Sequence, residues 1–148
     1  MHYIIISACL LGQSCRYDGQ CRNYSEIAAL HSREDVVLIP VCPEQAGGLA
    51  TPRPAAERSE SGVFTRDGRD VTAEYERGAR EALRLARLYG CRWAVLKEKS
   101  PSCGNGRIYD GTFTRTLTAG DGVTAALFRK EGISVVGESR IPWLLEQL

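Results

Sequence analysis

The sequence predicts an α/β fold, with a Rossmann-like or flavodoxin-like, mostly parallel sheet and helices on both of its faces. Two observations lead to this prediction. The chain has 148 residues and no break in composition, which is typical of a single domain over residues 1–148. Apolar runs alternate along it with segments of helical periodicity, and such alternation favours parallel strands joined by right-handed crossovers.

Four apolar runs predict the strands of the sheet. They are rich in β-branched residues and continuous rather than alternating, which is typical of strands buried on both faces. The order of these strands within the sheet does not follow from the sequence. The runs cover residues 3–8, 36–41, 93–96 and 133–136.

Helical segments lie between and after these runs. Asn23 or Ser25 can cap a first short helix that reaches His31. Thr72 can cap a long second helix, in which apolar residues follow the i, i+3, i+4 spacing up to the terminating Gly90. Two further helices are predicted, one over residues 123–131 and one from Pro142.

Two Asp-Gly pairs predict tight turns. Residues 43–70 are too many for a plain connection, and Asp67-Gly68 within them lies between apolar residues, which indicates a small hairpin. A second hairpin is expected to turn at Asp110-Gly111.

Composition narrows the classes of function. The net charge is +1 and the charged residues are scattered, so the basic surface that nucleic-acid binding requires is not indicated and no nucleic-acid partner is expected. No apolar stretch approaches the roughly 20 residues that span a bilayer, and the amino terminus lacks a secretion-signal pattern. We therefore expect a cytoplasmic protein without membrane contact. In that reducing compartment its six cysteines are metal ligands, catalytic groups or buried thiols rather than disulfides.

Three of the cysteines follow predicted strands. Cys9 and Cys42 end the first two, and Cys103 lies in the loop after the third. The carboxyl ends of parallel strands meet at one edge of a sheet, where open α/β folds bind their ligands. The sequence therefore predicts a three-thiolate metal site at this edge. The spacing favours an iron-sulfur cubane with one open iron over zinc, because no Cys-x-x-Cys pair is present and His2 and His31 are poorly placed as ligands.

The other three cysteines have plainer interpretations. Cys91 precedes an apolar run and is predicted to be a small buried hydrophobic residue. Cys15 and Cys21 lie in a polar, arginine-containing loop, where each is either a loose thiol or a ligand.

Six motifs are spread over nearly the whole chain. They are Ser7-Ala8-Cys9-Leu10-Leu11-Gly12, Arg16-Tyr17-Asp18-Gly19, Val41-Cys42-Pro43-Glu44-Gln45, Lys97-Glu98-Lys99-Ser100-Pro101-Ser102-Cys103-Gly104, Tyr109-Asp110-Gly111-Thr112-Phe113 and Gly122-Val123-Thr124-Ala125-Ala126-Leu127. Together, and in this order along the chain, they resemble one bacterial family, the TudS-like thiouracil desulfidases, long described only as a domain of unknown function.

In that family three cysteines hold a 4Fe-4S cluster whose fourth iron stays open, and their places in the motifs correspond to Cys9, Cys42 and Cys103. The resemblance implies an enzyme that acts on a small thiolated pyrimidine. It would convert 2- or 4-thiouracil to uracil and release sulfide, replacing C=S by C=O without net electron transfer. Two alternatives stay open: a desulfidase for thiolated tRNA or nucleosides, and a non-catalytic thiolate module that senses metal or redox state.

Six further residues are candidates for the reaction. Glu44 is two residues beyond a predicted ligand and is expected to be the base that activates water or shuttles a proton, the alternative being that it caps or pairs locally. Ser100 and Ser102 flank Pro101 beside Cys103 and can bind the pyrimidine, relay a proton or stabilise the loop. The candidates for substrate binding are Arg16, Asp18 and Lys97. The oligomeric state does not follow from the sequence.

Overall fold

A four-stranded parallel sheet forms the centre of the protein, in a computed structural model that describes residues 1–21 and 24–148. Two antiparallel hairpins accompany it. The strands are His2–Ser7 (β1), Val36–Val41 (β2), Ala56–Ser59 (β3), Gly62–Thr65 (β4), Trp93–Leu96 (β5), Arg107–Tyr109 (β6), Leu117–Ala119 (β7) and Ser134–Gly137 (β8). The helices are Ser25–His31 (α1), Pro43–Ala46 (α2), Thr72–Leu88 (α3), Val123–Lys130 (α4) and Ile141–Gln147 (α5).

Within the central sheet the strands follow the order β2-β1-β5-β8, and each neighbouring pair is parallel. The four predicted strands are confirmed, with β1 and β8 displaced by one residue from their predicted bounds. The two central strands are β1 and β5. The chain leaves β1 towards β2 on one side of the sheet and leaves β5 towards β8 on the other, so these two connections run in opposite directions. In sheets of this kind the crevice at the carboxyl ends of those two strands is the usual ligand site.

Helices cover both faces of the sheet, as predicted. Buried residues of α3 and α4 pack with one set of strand side chains, and those of α1 and α5 pack with the alternate set. Neighbouring residues of β1 divide accordingly, since Ile5 packs on the first face and Ile4 and Ile6 on the second. All three are fully buried, which explains why the strand reads as a continuous apolar run.

The predicted helices are present, and Gly90 follows α3 with a left-handed backbone (φ 66°) as expected, but the predicted N-terminal caps are wrong where the structure tests them. Ser25 is the first helical residue of α1 rather than its cap, and the alternative, Asn23, lies outside the described residues. Val71 holds the cap position of α3. Thr72 begins that helix, and its hydroxyl oxygen accepts the backbone N–H of Val63 in β4 at 2.9 Å. The hydroxyl therefore bonds to the hairpin and does not cap α3. No helix within residues 1–21 and 24–148 is long and apolar enough to cross a membrane.

Both predicted hairpin turns form. Asp67-Gly68 closes a tight turn after β4, across which Phe64 and Asp70 pair antiparallel and the Val71 N–H donates to the Val63 carbonyl at 2.9 Å. The β6–β7 hairpin leaves β6 at Asp110-Gly111 as expected, although its loop is longer than predicted. An additional hairpin that the sequence did not indicate joins β3 to β4 through a turn at residues 60–61.

A short helix that the sequence did not indicate, α2, packs directly onto α3. Four residues are too few to show helical periodicity. The contact is between backbones: a Cβ atom on Gly78 would lie 1.8 Å from the carbonyl oxygen of Pro43, and one on Gly47 would lie 2.0 Å from that of Glu74. Glycine at both positions therefore determines how closely the segment after β2 approaches α3.

Gly78→Ala is expected to destabilise the protein, although alanine is the better helix former by about 1 kcal/mol. Its methyl group would overlap the Pro43 carbonyl and force α2 away from α3, an overpacking that costs about 1–3 kcal/mol. The free energy of unfolding, measured with urea, should fall. Arg77→Ala, at an exposed position of the same helix, is the control and should change it little. Unchanged stability of the Gly78 variant would show that the two helices can separate at no cost.

Candidate active site

A cavity of about 510 Å³ opens at the carboxyl edge of the central sheet. It is lined by residues that follow β1, β2 and β5, together with residues from both hairpins. Because β1 and β5 are the two central strands, the cavity lies where their connections diverge.

The three cysteines predicted as metal ligands all line this cavity. Cys9 lies in a 3₁₀ turn after β1, Cys42 directly follows β2, and Cys103 lies in the loop after β5. Cys9 and Cys103 are buried, and Cys42 is half-buried. Among the described residues, no three Cys, His, Asp or Glu side chains converge as they would on a single metal ion.

A fourth thiol, left undecided by the sequence, also lines the cavity. Cys15 is 3% exposed and hydrogen-bonds the thiols of Cys9 and Cys42. It is therefore not a loose thiol of a polar loop. Cys21 is exposed, and Cys91 is buried in the core beneath α3 and α4, as predicted for that residue.

Burial changes the acidity of the cavity thiols. It raises the pKa of the Cys103 thiol to about 12, although a hydrogen bond from the Ser7 hydroxyl opposes the shift. The pKa of Cys42 is also raised, first by its hydrogen bond with Cys15 and then by burial. Since only the thiolate is a metal ligand, a metal that binds here must displace these protons.

The two serines near Cys103 differ in position. Ser100 lines the cavity, and its oxygen accepts the backbone N–H groups of Ser102 and Cys103, each at 3.1 Å. Among residues 1–21 and 24–148 its own hydroxyl proton has no acceptor, so it can be donated to another group. Ser102 is fully buried, shares a 2.8 Å hydrogen bond with Thr124 and contacts the Cys103 sulfur. Of this pair, Ser100 faces the cavity and Ser102 supports Cys103.

The Glu44 carboxylate lies on the cavity wall and is held at both of its oxygens. One oxygen accepts the hydroxyl of Tyr75, and the other pairs with the Arg53 guanidinium at 3.3 Å. Tyr75 comes from the buried face of α3 and is 2% exposed, and the Arg53 side chain is 6% exposed. Glu44 thus both pairs locally and faces the cavity, so the two interpretations of its position are compatible.

Tyr75→Phe is expected to lower the free energy of unfolding by about 1.5–3 kcal/mol, the usual loss when a hydrogen bond to a charged group is removed. Burial, together with the negative charge of Glu44, raises the pKa of the Tyr75 hydroxyl, so it stays a protonated donor. Urea unfolding measures the change. Tyr89→Phe, at an exposed position, is the control and should have no effect. Equal stability of the Tyr75 variant and the parent would show that the hydroxyl contributes nothing to holding Glu44.

The three residues predicted to bind substrate separate into two that line the cavity and one that does not. Arg16 and Lys97 line the cavity. Asp18 does not line it, and its carboxylate pairs with the Arg16 guanidinium at 3.6 Å. Lys97 pairs at 2.8 Å with Glu138, which follows β8, and not with the neighbouring Glu98 carboxylate. Each cation therefore reaches the cavity with a carboxylate partner beside it.

Residues near the two hairpins extend the cavity outward. Glu57 of β3 accepts the backbone N–H groups of Gly111 and Phe113 at 3.0 Å and 3.1 Å, which ties one hairpin to the loop of the other. Backbone in the left-handed region is costly for residues other than glycine and concentrates at ligand sites. Three cavity residues have such backbone: Lys99 (φ 68°), Phe113 (φ 58°) and Arg115 (φ 60°).

Comparison with known proteins shows the family to which the chain belongs. The sequence model of the 2-thiouracil desulfurase family matches residues 4–140, which include the cavity cysteines and Glu44. The chain belongs to this family. The YbbK protein of Bacillus subtilis, which is uncharacterised, is 38% identical over 148 residues, covering 93% of this chain and 97% of YbbK. A solved structure of the 4Fe-4S-dependent thiouracil desulfidase TudS is 50% identical, with a TM-score of 0.91 over 99% of this chain and 97% of that one.

The family and the α/β fold expected from the motifs are thus confirmed. Sequence reasoning nevertheless missed several residues of this desulfurase-family site. Ser7 carried a usable signal, since it is a polar residue at the end of an apolar strand. Tyr75 matched the apolar spacing of α3, so its hydroxyl went unnoticed. Arg53 belongs to a loop between α2 and β3, and nothing local in the sequence indicates that it is buried against Glu44.

Proposed function

We propose that the protein is a 4Fe-4S-dependent desulfidase that converts a thiolated pyrimidine, 2- or 4-thiouracil, to uracil and releases sulfide. The observation that carries this proposal is the arrival of Cys9, Cys42 and Cys103 from three strand ends at one cavity. Membership of the 2-thiouracil desulfurase family supports it, as does 50% identity to TudS, which is itself 4Fe-4S-dependent.

The donors at the cavity fit an iron-sulfur cluster. Cysteine thiolates are the usual ligands of such clusters, and we assign Cys9, Cys42 and Cys103 to this role. Among the described residues, no three side chains converge on a point where they could bind one metal ion. A 4Fe-4S cluster does not require such convergence, because each thiolate binds a separate iron. Three protein ligands leave one iron of a 4Fe-4S cluster open. When bound, the cluster supplies a soft Lewis acid for a thiocarbonyl sulfur.

Glu44 is the residue that we assign as the general base. Tyr75 and Arg53 each engage one of its oxygens, and because a carboxylate has about four acceptor positions, it can still bind a water molecule from the cavity. That water would give its proton to Glu44 while its oxygen attacks the thiolated ring carbon. The two buried partners orient the carboxylate before substrate enters, which is the condition for efficient proton transfer.

The other polar residues bind and orient the substrate. Ser100 has a free hydroxyl proton to donate to the pyrimidine, because its oxygen already accepts two backbone N–H groups. Arg16 and Lys97 provide donors for the carbonyl oxygen of the ring. Ser102 and Asp18 act through neighbours, Ser102 by positioning Cys103 and Asp18 by holding Arg16. The exchange of sulfur for the oxygen of water is redox-neutral, so no electron donor is needed.

Purification without oxygen, followed by determination of iron and acid-labile sulfide and by a thiouracil assay, tests this proposal. We expect about four irons and four sulfides per chain, and release of uracil and sulfide in equal amounts from 2-thiouracil, 4-thiouracil or both. An iron-free, colourless protein after anaerobic reconstitution would contradict the cluster. A loaded protein that is inert with both bases but desulfurises thiolated tRNA would identify RNA as the substrate.

A further inference from the structure

The cavity holds one thiol that the proposed reaction does not use. Cys15 packs with Cys9 and Cys42 in one cluster of buried side chains, and its sulfur hydrogen-bonds the sulfurs of both. Of the other three cysteines, Cys103 lines the same cavity, Cys21 is on the surface and Cys91 is in the core. Cys15 is therefore placed to react with a thiol that we assign as a cluster ligand.

Two contacts join Cys15 to Cys42 in particular. The Cys42 thiol donates to the backbone carbonyl of Cys15, with 3.7 Å between sulfur and oxygen. Arg53 donates to the same carbonyl at 2.9 Å and also pairs with Glu44, two residues beyond Cys42. Because the Arg53 side chain is only 6% exposed, this buried guanidinium holds the two cysteine-bearing segments next to each other.

We propose that Cys15 is a resolving thiol, which forms a reversible disulfide with Cys42 when the cluster-free chain meets a peroxide. Cys42 is half-buried and Cys15 is 3% exposed, so an oxidant that enters the cavity reaches Cys42 first. The disulfide keeps Cys42 in a form that thiol reductants restore. The inference rests on the proposed function in one respect, the assignment of Cys42 as a cluster ligand. The oxidation of the two thiols itself proceeds without the cluster.

The oxidation balances in two steps. Cys42 first loses its proton, and its thiolate takes one oxygen from hydrogen peroxide as the O–O bond breaks; the departing hydroxide recovers the proton as one water, which leaves a sulfenic acid. The Cys15 sulfur then attacks the sulfenic sulfur, forming the S–S bond, and the departing hydroxide takes the Cys15 proton as a second water. The two thiols together lose two electrons and two protons, which the peroxide accepts. Without Cys15, more peroxide would carry Cys42 to the sulfinic acid, which thiol reductants do not reverse.

The test uses the cluster-free full chain carrying Cys21→Ser, which removes the exposed thiol and with it the main route to disulfides between chains. After limiting hydrogen peroxide, we expect two fewer free thiols per chain. Peptide mapping without reductant should show Cys15 linked to Cys42. Treatment with a thiol reductant should then restore both thiols.

Two matched variants in the same background complete the test. Cys15→Ser should form no internal disulfide and should permanently lose the Cys42 thiol, whereas Cys91→Ser should behave like the background. Mapping of the background chain decides the matter even where Cys15→Ser fails to fold. Intact thiols, a bridge between another pair, or full recovery of Cys15→Ser would each overturn the inference. Cluster content and thiouracil turnover are measured separately, so such a result would leave the desulfidase proposal standing.

Discussion

Cys103→Ala is expected to abolish cluster binding, because it removes one of the three thiolates that we assign as ligands. Iron and acid-labile sulfide after anaerobic reconstitution should fall to background, and thiouracil turnover should fall with them. Cys9→Ala and Cys42→Ala should have the same effect, since each thiolate comes from a separate strand end. Cys15 contacts Cys9 and Cys42, so its thiol is near enough to replace either of them as a ligand in those two variants. The Cys103 variant is therefore the clearest of the three tests.

Cys91→Ala is the matched control for these variants. Cys91 is 7% exposed and packs in the core beneath α3 and α4, away from the cavity lining. Its loss should reduce stability modestly and leave the iron content at the level of the parent. Circular dichroism of each variant would establish that the chain is folded. Full iron content in the Cys103 variant would mean that the ligand assignment is wrong.

Glu44→Gln is expected to lower kcat by about 10²–10⁴-fold, the range that loss of a general base produces. Glutamine has nearly the same shape but cannot take up the proton of the attacking water. It also leaves the buried Arg53 without a carboxylate partner, so the rate should be expressed per loaded cluster. Iron content should stay near that of the parent, because Glu44 is not among the assigned ligands.

Glu131→Gln provides the control for this change. Glu131 also pairs with an arginine, Arg87 at 2.6 Å, but the pair lies outside the cavity lining. Turnover per cluster should therefore be unchanged in this variant. If Glu44→Gln were equally active, the base would have to be another group of the cavity, and Ser100 would be the next residue to change.

Local patterns in the sequence were sufficient for the strands and most helices. A strand such as β1 is buried on both faces wherever it lies in a parallel sheet, so its apolar run identifies it without reference to its neighbours. Because the apolar run carries no information about neighbouring strands, it does not reveal the order of the strands in the sheet. The arrangement β2-β1-β5-β8 arises because α1 and α3 pack on opposite faces of the sheet, and no single segment contains that information.

The cap errors have a related cause. A hydroxyl near a predicted helix start can bond to its own helix or to another backbone, and only the packed structure shows which partner is present. At Thr72 the partner is Val63 in the neighbouring hairpin. The helix start was nevertheless predicted to within one residue, because the apolar spacing of α3 does not depend on the cap.

For the candidate site, the sequence by itself determined that three of the four cavity thiols meet. Cys9, Cys42 and Cys103 each follow a strand of one parallel sheet, and the carboxyl ends of such strands share an edge, so strand position alone brings them to one cavity. Only the tertiary structure decided what surrounds them. The Tyr75 hydroxyl reaches Glu44 because α2 and α3 touch at Gly47 and Gly78, a contact between segments that are distant in the chain. Arg53 is likewise buried against Glu44, and Cys15 lies beside Cys42, because side-chain partners across loops depend on how whole elements dock and not on local pattern.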